Sequence, residues 1–338
     1  MCNIINNFSL KEYNTFKINV NAKYYTKFSS TDELKKILTN KIFKKEKHFI
    51  LGGGSNILLT QNINSIVLHN NIKGISVIKE DSKHVIVEVG AGVIWHDFVV
   101  WSVSKNLSGI ENLALIPGSV GASPMQNIGA YGVEVKDTIY KVNAIEIKKQ
   151  TVRIFSNHDC KFQYRSSIFK NKLKNKYIIT KVIFKLSKEH LNITTYGDVE
   201  KELIKSNLSA NPKNISTVIT RIRNKKLPNP KKLANCGSFF KNPIISIKKF
   251  RKLKEKFPNI IGYENSKNEV KVAAGWLIEN AGLKGYKDGD AGVHKNQALV
   301  LVNYGNATGR DILNLARYIQ EKIKKMYGIC IDNEVNIL

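Results

Sequence analysis

The most regular pattern in the chain lies near its C-terminus. Between Thr308 and Tyr327 the apolar residues Ile312, Leu315, Ile319, Ile323 and Met326 recur every three or four positions. That period places them on one face of an α-helix, and Gly328 supplies a stop. A second helix is predicted over 31–39, where Asp32-Glu33 precede Leu34, Ile37 and Leu38 at helical spacing. Helices are further predicted from Trp95 to about Lys105 and over 198–208, 214–226, 245–256 and 272–281. Short runs of β-branched and aromatic residues predict strands over 48–51, from Ile57, and over 65–69, 75–78, 84–89, 140–147, 177–186 and 298–303. The first half is therefore strand-rich. Composition shifts towards helix near residue 197, and Leu227-Pro228-Asn229-Pro230 breaks the pattern. There is no internal repeat and no low-complexity linker.

A chain of 338 residues suggests two or three domains at about 150 residues each. Hydrophobic residues at 42% and charged residues at 24% are ordinary for a soluble globular protein. The longest apolar runs, such as Ala298 to Val302, fall far short of the ~20 residues that a spanning helix requires. The segment Met1 to Asn7 lacks the marks of a signal peptide, so no membrane insertion and a cytoplasmic location are expected. Cys2, Cys160, Cys236 and Cys330 lie far apart and form no CxxC pair. Reduced thiols are expected, and no metal site.

The net charge of +27 raises the question of nucleic acid. Only seven arginines occur, and the remaining basic residues are lysines. Lys, Asn and Ile, all abundant here, are residues of A/T-rich codons, so a biased genome accounts for the excess. The lysine runs also lack the arginine forks and interleaved aromatics of nucleic-acid sites. No nucleic-acid partner is expected.

Two glycine clusters stand out. Gly52-Gly53-Gly54-Ser55-Asn56 sits between two predicted strands, and Pro117-Gly118-Ser119-Val120-Gly121-Ala122 leads on to Asn127-Ile128-Gly129-Ala130-Tyr131. Exposed amides of such loops can converge on a phosphate, although each cluster alone could equally be a set of tight turns. No P-loop pattern is present, and in Gly90-Ala91-Gly92 the third glycine of a Rossmann fingerprint is replaced by Trp95. Two separated clusters in one strand-rich region point to a dinucleotide diphosphate. Ser238, in Gly237-Ser238-Phe239-Phe240-Lys241-Asn242-Pro243, could be a plain turn serine, and no G-x-S-x-G elbow surrounds it. His294 lies in a distinctive segment but belongs to no metal-binding spacing. Arg165, in Tyr164-Arg165-Ser166-Ser167, has survived the lysine bias; a surface ion pair and a required fork geometry weigh about equally.

Taken together these segments resemble the UDP-N-acetylenolpyruvoylglucosamine reductases, the MurB family of peptidoglycan synthesis. The resemblance runs from Asn14-Thr15-Phe16 to Glu334 and rests on the order of the motifs already quoted, joined by Tyr196-Gly197-Asp198, Ala274 to Ile278 and Asn333-Glu334-Val335. It implies an α+β FAD-binding fold of the vanillyl-alcohol-oxidase/p-cresol-methylhydroxylase type with a separate α+β substrate-binding domain. The domains expected are a first FAD lobe over 1–70 and a second over 71–219, the whole module covering about 18–189. A substrate domain over 220–325 and a tail over 326–338 returning to the active site complete the chain. The tyrosine loop near Tyr196 marks the longer subtype. Lys17 stands where the family often has glycine, and Cys236 where a small residue is common.

By the same resemblance the expected activity reduces the enolpyruvyl ether of a UDP-sugar with NADPH through noncovalent FAD. Arg165 would stabilise the charge developing at the substrate carboxylate, Glu334 would help polarise that end of the substrate, and Ser238 would protonate the carbanion. The cofactor would be held by Gly52, Gly53, Gly54, Ser55, Asn56, Pro117, Gly118, Gly121, Ala122, Asn127, Gly129, Ala130 and Tyr131. Substrate contacts would come from Tyr164, Tyr196, Lys226, Asn242, Lys284 and Gln297. A monomer is expected. The alternatives are another flavin oxidoreductase of this fold and, more remotely, a basic nucleic-acid-binding protein.

Overall fold

The computed structural model describes residues 3–338; Cys2, one of the thiols expected to be reduced, lies outside them. Two compact units are present. The first comprises the chain up to Phe8, Ala22–Gly53 and Asn64–Lys225, and the second Ser9–Asn21, Gly54–Ile63 and Lys226–Leu338.

In the first unit a four-stranded sheet runs in the order Ile5–Ser9, Asn21–Phe28, Ile63–Asn70, His48–Leu51. The last two strands are parallel, with His48 opposite Ile66 and Leu51 opposite His69. Helix Thr31–Thr39 begins where predicted because the Ser30 side chain accepts from Glu33 N–H at 3.1 Å. Its Leu34, Ile37 and Leu38 pack with Phe28, Phe43, Ile66 and Leu68.

A second sheet is antiparallel throughout, in the order Val152–Ser156, Ile139–Glu146, Tyr177–Ser187, His84–Gly90, Ile75–Glu80. Its central strand Tyr177–Ser187 is buried on both faces, which is why it reads as a near-continuous apolar run. Phe184 meets Phe98 of helix Trp95–Ser104 with ring centroids 4.7 Å apart. Helix Pro212–Lys226 contributes Ile215, Val218, Ile219 and Ile222 to this same core. The change of composition near residue 197 is therefore not a change of core.

The second unit holds an antiparallel sheet in the order Ala234–Ser238, Val300–Asn303, Ala291–Val293, Lys287–Asp288. Helix Gly309–Tyr327 is closed at its start by reciprocal bonds between Thr308 and Asp311 and at its end by Gly328 at φ +64. The apolar face differs from the expected one at its last member. Met326 is 42% exposed, whereas Tyr327 is buried against Phe257, with ring centroids 4.9 Å apart, and its hydroxyl accepts from Asn280 Nδ2 at 2.8 Å.

Two predicted helices begin later than expected. The 245–256 segment opens within a strand, Ile244–Ser246, and Ser246 then caps helix Ile247–Lys256. The 272–281 segment starts as strand Glu269–Val272, and the helix proper is Ala274–Asn280. The strand Asn21–Phe28 went unpredicted, since its polar residues Asn21, Lys23 and Lys27 mask a run whose Ala22, Tyr25 and Phe28 are buried.

Lys17 adopts φ +55, the left-handed region that favours glycine. Asn14 organises that turn, donating to the Leu10 and Ile18 carbonyls at 2.8 and 3.0 Å while accepting from Ile18 N–H at 2.9 Å. Among the described residues no helix is long and apolar enough to cross a membrane.

Candidate active site

In the first unit Gly52 and Gly53 lie against the second glycine cluster; the rest of the first cluster, Gly54, Ser55 and Asn56, belongs to the second unit. A Cβ on Gly53 would lie 2.9 Å from Gly118 Cα, one on Gly52 2.6 Å from Ser119 Oγ, and one on Gly121 2.5 Å from Ala91 Cβ. Gly53 lets the two loops meet backbone to backbone at Gly118, Gly52 leaves room for the Ser119 hydroxyl, and Gly121 lets its own loop lie against Ala91, closenesses that a side chain would prevent. Val120 and Gly121 amides are used internally, donating to Val93 and Ala91 carbonyls at 2.8 Å each. Among the described residues nothing accepts from the amides of Gly53 and Ser119. Two loop amides left without partners, set where the loops meet, have the donor chemistry that a diphosphate requires, so these residues fit a dinucleotide such as FAD.

Beyond the loops, Asn127 is buried and bonded on every side. Its Nδ2 donates to Glu134 Oε2 and the Gln163 carbonyl at 3.0 and 3.2 Å, and its Oδ1 accepts from Lys136 N–H at 3.1 Å. Gly129–Ala130 pairs with Val133–Glu134 in a short ribbon. The Gly129 carbonyl accepts from the Arg165 guanidinium at 2.9 Å. Arg165 itself stands at φ +52, its guanidinium 5.3 Å from the centre of the Tyr164 ring. Tyr131 is also left-handed, at φ +48, and its carbonyl accepts from Asn112 Nδ2 at 2.9 Å. The tyrosine loop passes beside it: a Cβ on Gly132 would meet Tyr196 Cβ at 3.3 Å, and one on Gly197 the Tyr131 ring at 3.9 Å.

In the second unit Ser238 is exposed at the end of strand Ala234–Ser238. The preceding Gly237 turns at φ +76 with open space where a side chain would point, and its N–H donates to Asn235 Oδ1 at 2.9 Å. Just past Ser238 the chain is gripped from both sides. Phe239 N–H donates to the Leu299 carbonyl at 2.7 Å, and Glu334 N–H donates to the Phe239 carbonyl at 2.8 Å. The tail thus runs beside the serine loop and brings Glu334 to it. Asn56 Nδ2 donates to the Glu334 carbonyl at 3.4 Å. Beneath them Cys236 is buried; burial, and secondly the Glu334 charge, push its thiol well above the ordinary range.

Of the remaining residues predicted to touch substrate, Asn242 and Gln297 both reach the start of helix Ala274–Asn280, where a Cβ on Gly275 would lie 3.4 Å from Gln297 Oε1. Asn242 Oδ1 accepts from Ala274 N–H at 3.0 Å, at the start of helix Ala274–Asn280. Lys284 pairs with Glu279 at 2.6 Å, and Gln297 Oε1 accepts from Leu299 N–H at 3.4 Å. Lys226, where the second unit resumes, is exposed. His294 is buried, and its Nδ1 accepts from Asn296 N–H at 3.4 Å; burial first, then the Lys295 charge, lowers its basicity. Among the described residues no three His, Cys, Asp or Glu side chains gather as metal ligands would.

One residue escaped the sequence reading. Arg223, on helix Pro212–Lys226, is half-buried; its guanidinium hydrogen-bonds Tyr131, and its buried Nε has no partner. The signal was available, because Arg223 survives the same lysine bias that singled out Arg165.

Comparison with known proteins adds the following. Residues 22–154 match a family model described as FAD binding domain, and residues 229–338 match one described as UDP-N-acetylenolpyruvoylglucosamine reductase, C-terminal domain. The UDP-N-acetylenolpyruvoylglucosamine reductase of Flavobacterium johnsoniae is 54% identical over 337 residues, 99% of each chain. That of Pseudomonas savastanoi pv. phaseolicola is 45% identical over 330 residues, 97% of each chain. The crystal structure of the Thermus caldophilus enzyme of that name is similar in fold, with TM-score 0.67 at 24% identity, covering 100% of this chain and 98% of that one.

Proposed function

The chain belongs to the UDP-N-acetylenolpyruvoylglucosamine reductase family, with an α+β FAD-binding domain and a separate C-terminal α+β unit, and from that premise we propose that it reduces UDP-N-acetylenolpyruvoylglucosamine to UDP-N-acetylmuramate with NADPH through noncovalent FAD. The observation that carries this reading is the seam between the serine loop and the tail, where Glu334 N–H meets the Phe239 carbonyl one residue past Ser238. In this reading residues of about 18–189 form the flavin module and those of about 220–325 the substrate domain.

FAD, when bound and reduced by NADPH, would supply the hydride that adds to the enolpyruvyl double bond. The protein's own contribution begins with binding. The amides of Gly53 and Ser119 would donate to the cofactor diphosphate, and the close approach of Gly53 to Gly118 holds the two loops together. As hydride adds to the distal carbon of the substrate, negative charge develops on the carbon bearing the carboxylate. Arg165, its guanidinium oriented by the Gly129 carbonyl, and Glu334 act at that end of the substrate; a fixed donor lowers the barrier because it needs no reorganisation as charge appears. Ser238, exposed at its strand end, delivers the proton to the carbanion. A serine hydroxyl is a weak acid, but it is strong enough for a carbanion when positioned. Tyr164, Tyr196, Lys226, Asn242, Lys284 and Gln297 grip the UDP-sugar, the lysines neutralising its diphosphate.

The test is direct. Purified protein should be yellow, release FAD on denaturation, and oxidise NADPH only when the enolpyruvyl UDP-sugar is present, yielding the lactyl ether. Colourless protein, or oxidation of a sugar with reduction of oxygen instead, would replace this reading with one of its rivals.

A further inference from the structure

A buried charge without a counter-ion is rare in a folded chain, because desolvation penalises it strongly. Half-buried Arg223 comes close to this, its Nε withdrawn from water. Its Nε is inaccessible to solvent and has no hydrogen-bond partner. Burial lowers its basicity, and the group that offsets this is the Tyr131 side chain, which hydrogen-bonds it. Among the described residues no carboxylate forms an ion pair with it. The nearby imidazole of His96 offers no charge either. Its Nδ1 accepts from Leu115 N–H at 3.0 Å, and burial first, with the Arg223 charge, outweighs the adjacent Asp97 charge and disfavours its protonation.

The surroundings say what the missing counter-ion is. Tyr131 closes the small-residue stretch from Pro117, and Asn112 Nδ2 pins its carbonyl to hold the left-handed turn. Arg223 is thus tethered to the end of the loop that the proposed function gives to FAD. We propose that Arg223 is the counter-ion of an anionic part of the bound flavin cofactor, an inference that rests on the FAD reading. That anion is either the cofactor diphosphate or the ring system in its reduced, negatively charged state. In both cases the guanidinium gains on binding the partner that the fold withholds, so its present isolation is a preorganised donor rather than a packing element.

Arg223→Met separates these possibilities from a structural role, because it keeps the stem of the side chain and removes the charge. Three measurements are needed on wild type and variant: thermal unfolding of the flavin-free protein, FAD titration, and the midpoint potential of the loaded protein. The flavin-free variant should unfold at the same temperature as wild type or higher, since an isolated buried charge has been removed. A diphosphate partner predicts FAD binding weaker by about tenfold or more, the scale of a charge-assisted hydrogen bond, at unchanged potential. A ring partner predicts retained FAD with a lower potential; a tenfold loss of grip on the reduced form alone corresponds to about 30 mV for two electrons. Arg223→Lys, which keeps the charge but loses the fork, should fall between wild type and Arg223→Met. A flavin-free Arg223→Met that unfolds early or does not fold would overturn the proposal, because the arginine would then be structural. Unchanged affinity together with unchanged potential would overturn it as well. Wild-type protein that binds no FAD would instead sink the flavin reading itself.

Discussion

Glu334 and Phe239 are joined main chain to main chain, the Glu334 N–H donating to the Phe239 carbonyl at 2.8 Å. This bond sets the position of the glutamate relative to the serine loop, and residues beyond it keep the tail in place. Asn336 and Ile337 pair in parallel with Ile57 and Leu58. The terminal Leu338 donates to the Leu58 carbonyl at 2.9 Å and accepts from Thr60 N–H at 2.8 Å.

Deleting residues 336–338 should therefore free Glu334 without touching it. Each lost backbone bond is worth about 0.5–1.5 kcal/mol, too little in sum to unfold a chain with two hydrophobic units. Turnover should fall more than the melting temperature does, and flavin reduction by NADPH should be spared. Steady-state assays beside thermal unfolding check this; full turnover in the truncated protein would show that the Phe239 seam alone is sufficient.

At the glycine loops the reason for glycine is loop-to-loop packing. Gly53→Leu or Gly121→Val forces a Cβ to within 2.9 Å of Gly118 Cα or 2.5 Å of Ala91 Cβ. In the first variant the two loops must separate and in the second the loop must lift from Ala91, at about 1–3 kcal/mol for overpacking of this kind. Both variants should purify with less flavin and melt earlier. The ratio of visible to ultraviolet absorbance reports occupancy, and full occupancy in both would remove these loops from the cradle.

The thiols provide a chemical probe of burial. Burial pushes the Cys160 thiol up to about 12 and Cys236 well above its ordinary range, whereas Cys330 is exposed. A thiol with a raised pKa stays protonated, and therefore unreactive, until pH approaches that value. Alkylation at pH 8 followed by peptide mass spectrometry should mark Cys330 and leave Cys160 and Cys236 untouched, and the pattern should persist at pH 9. Modification of Cys236 in the folded protein would mean that the floor beneath Glu334 opens.

Much of this was legible in the sequence, and the exceptions share a cause. Helix Gly309–Tyr327 declared itself through its period and its stop, since one face is buried along almost its entire length. Strand Tyr177–Ser187 did so by being buried on both faces. Asn21–Phe28 stayed hidden because polar side chains on its exposed face interrupt the apolar run. At the site, Ser238 and Glu334 could be picked out by motif order, yet the bond that joins their segments spans a long sequence separation and has no local signature. Arg223 stayed hidden for a different reason. Its isolation is a property of what surrounds it, and an arginine in a helix looks ordinary until no carboxylate is found beside it.

Ser238 separates the two halves of the proposed reaction. Proton delivery to the substrate carbon is needed only after hydride has left the flavin, so Ser238→Ala should leave bleaching of the flavin by NADPH near the wild-type rate. Recovery of the flavin absorbance on adding the enolpyruvyl UDP-sugar should slow by about 10²–10⁴-fold, the usual contribution of a positioned general acid. Arg165→Ala and Glu334→Gln should slow the same phase through loss of charge stabilisation, but they differ from Ser238→Ala in how the site responds to a substitute acid. Ser238→Cys should regain part of the rate, because a thiol of similar size is a stronger acid than a hydroxyl. No thiol introduced elsewhere should rescue Arg165→Ala. Stopped-flow absorbance in the two half-reactions reads all four variants. A Ser238→Ala protein that recovers its flavin absorbance at the wild-type rate would take Ser238 out of the mechanism, and the proton would have to come from water or from another side chain.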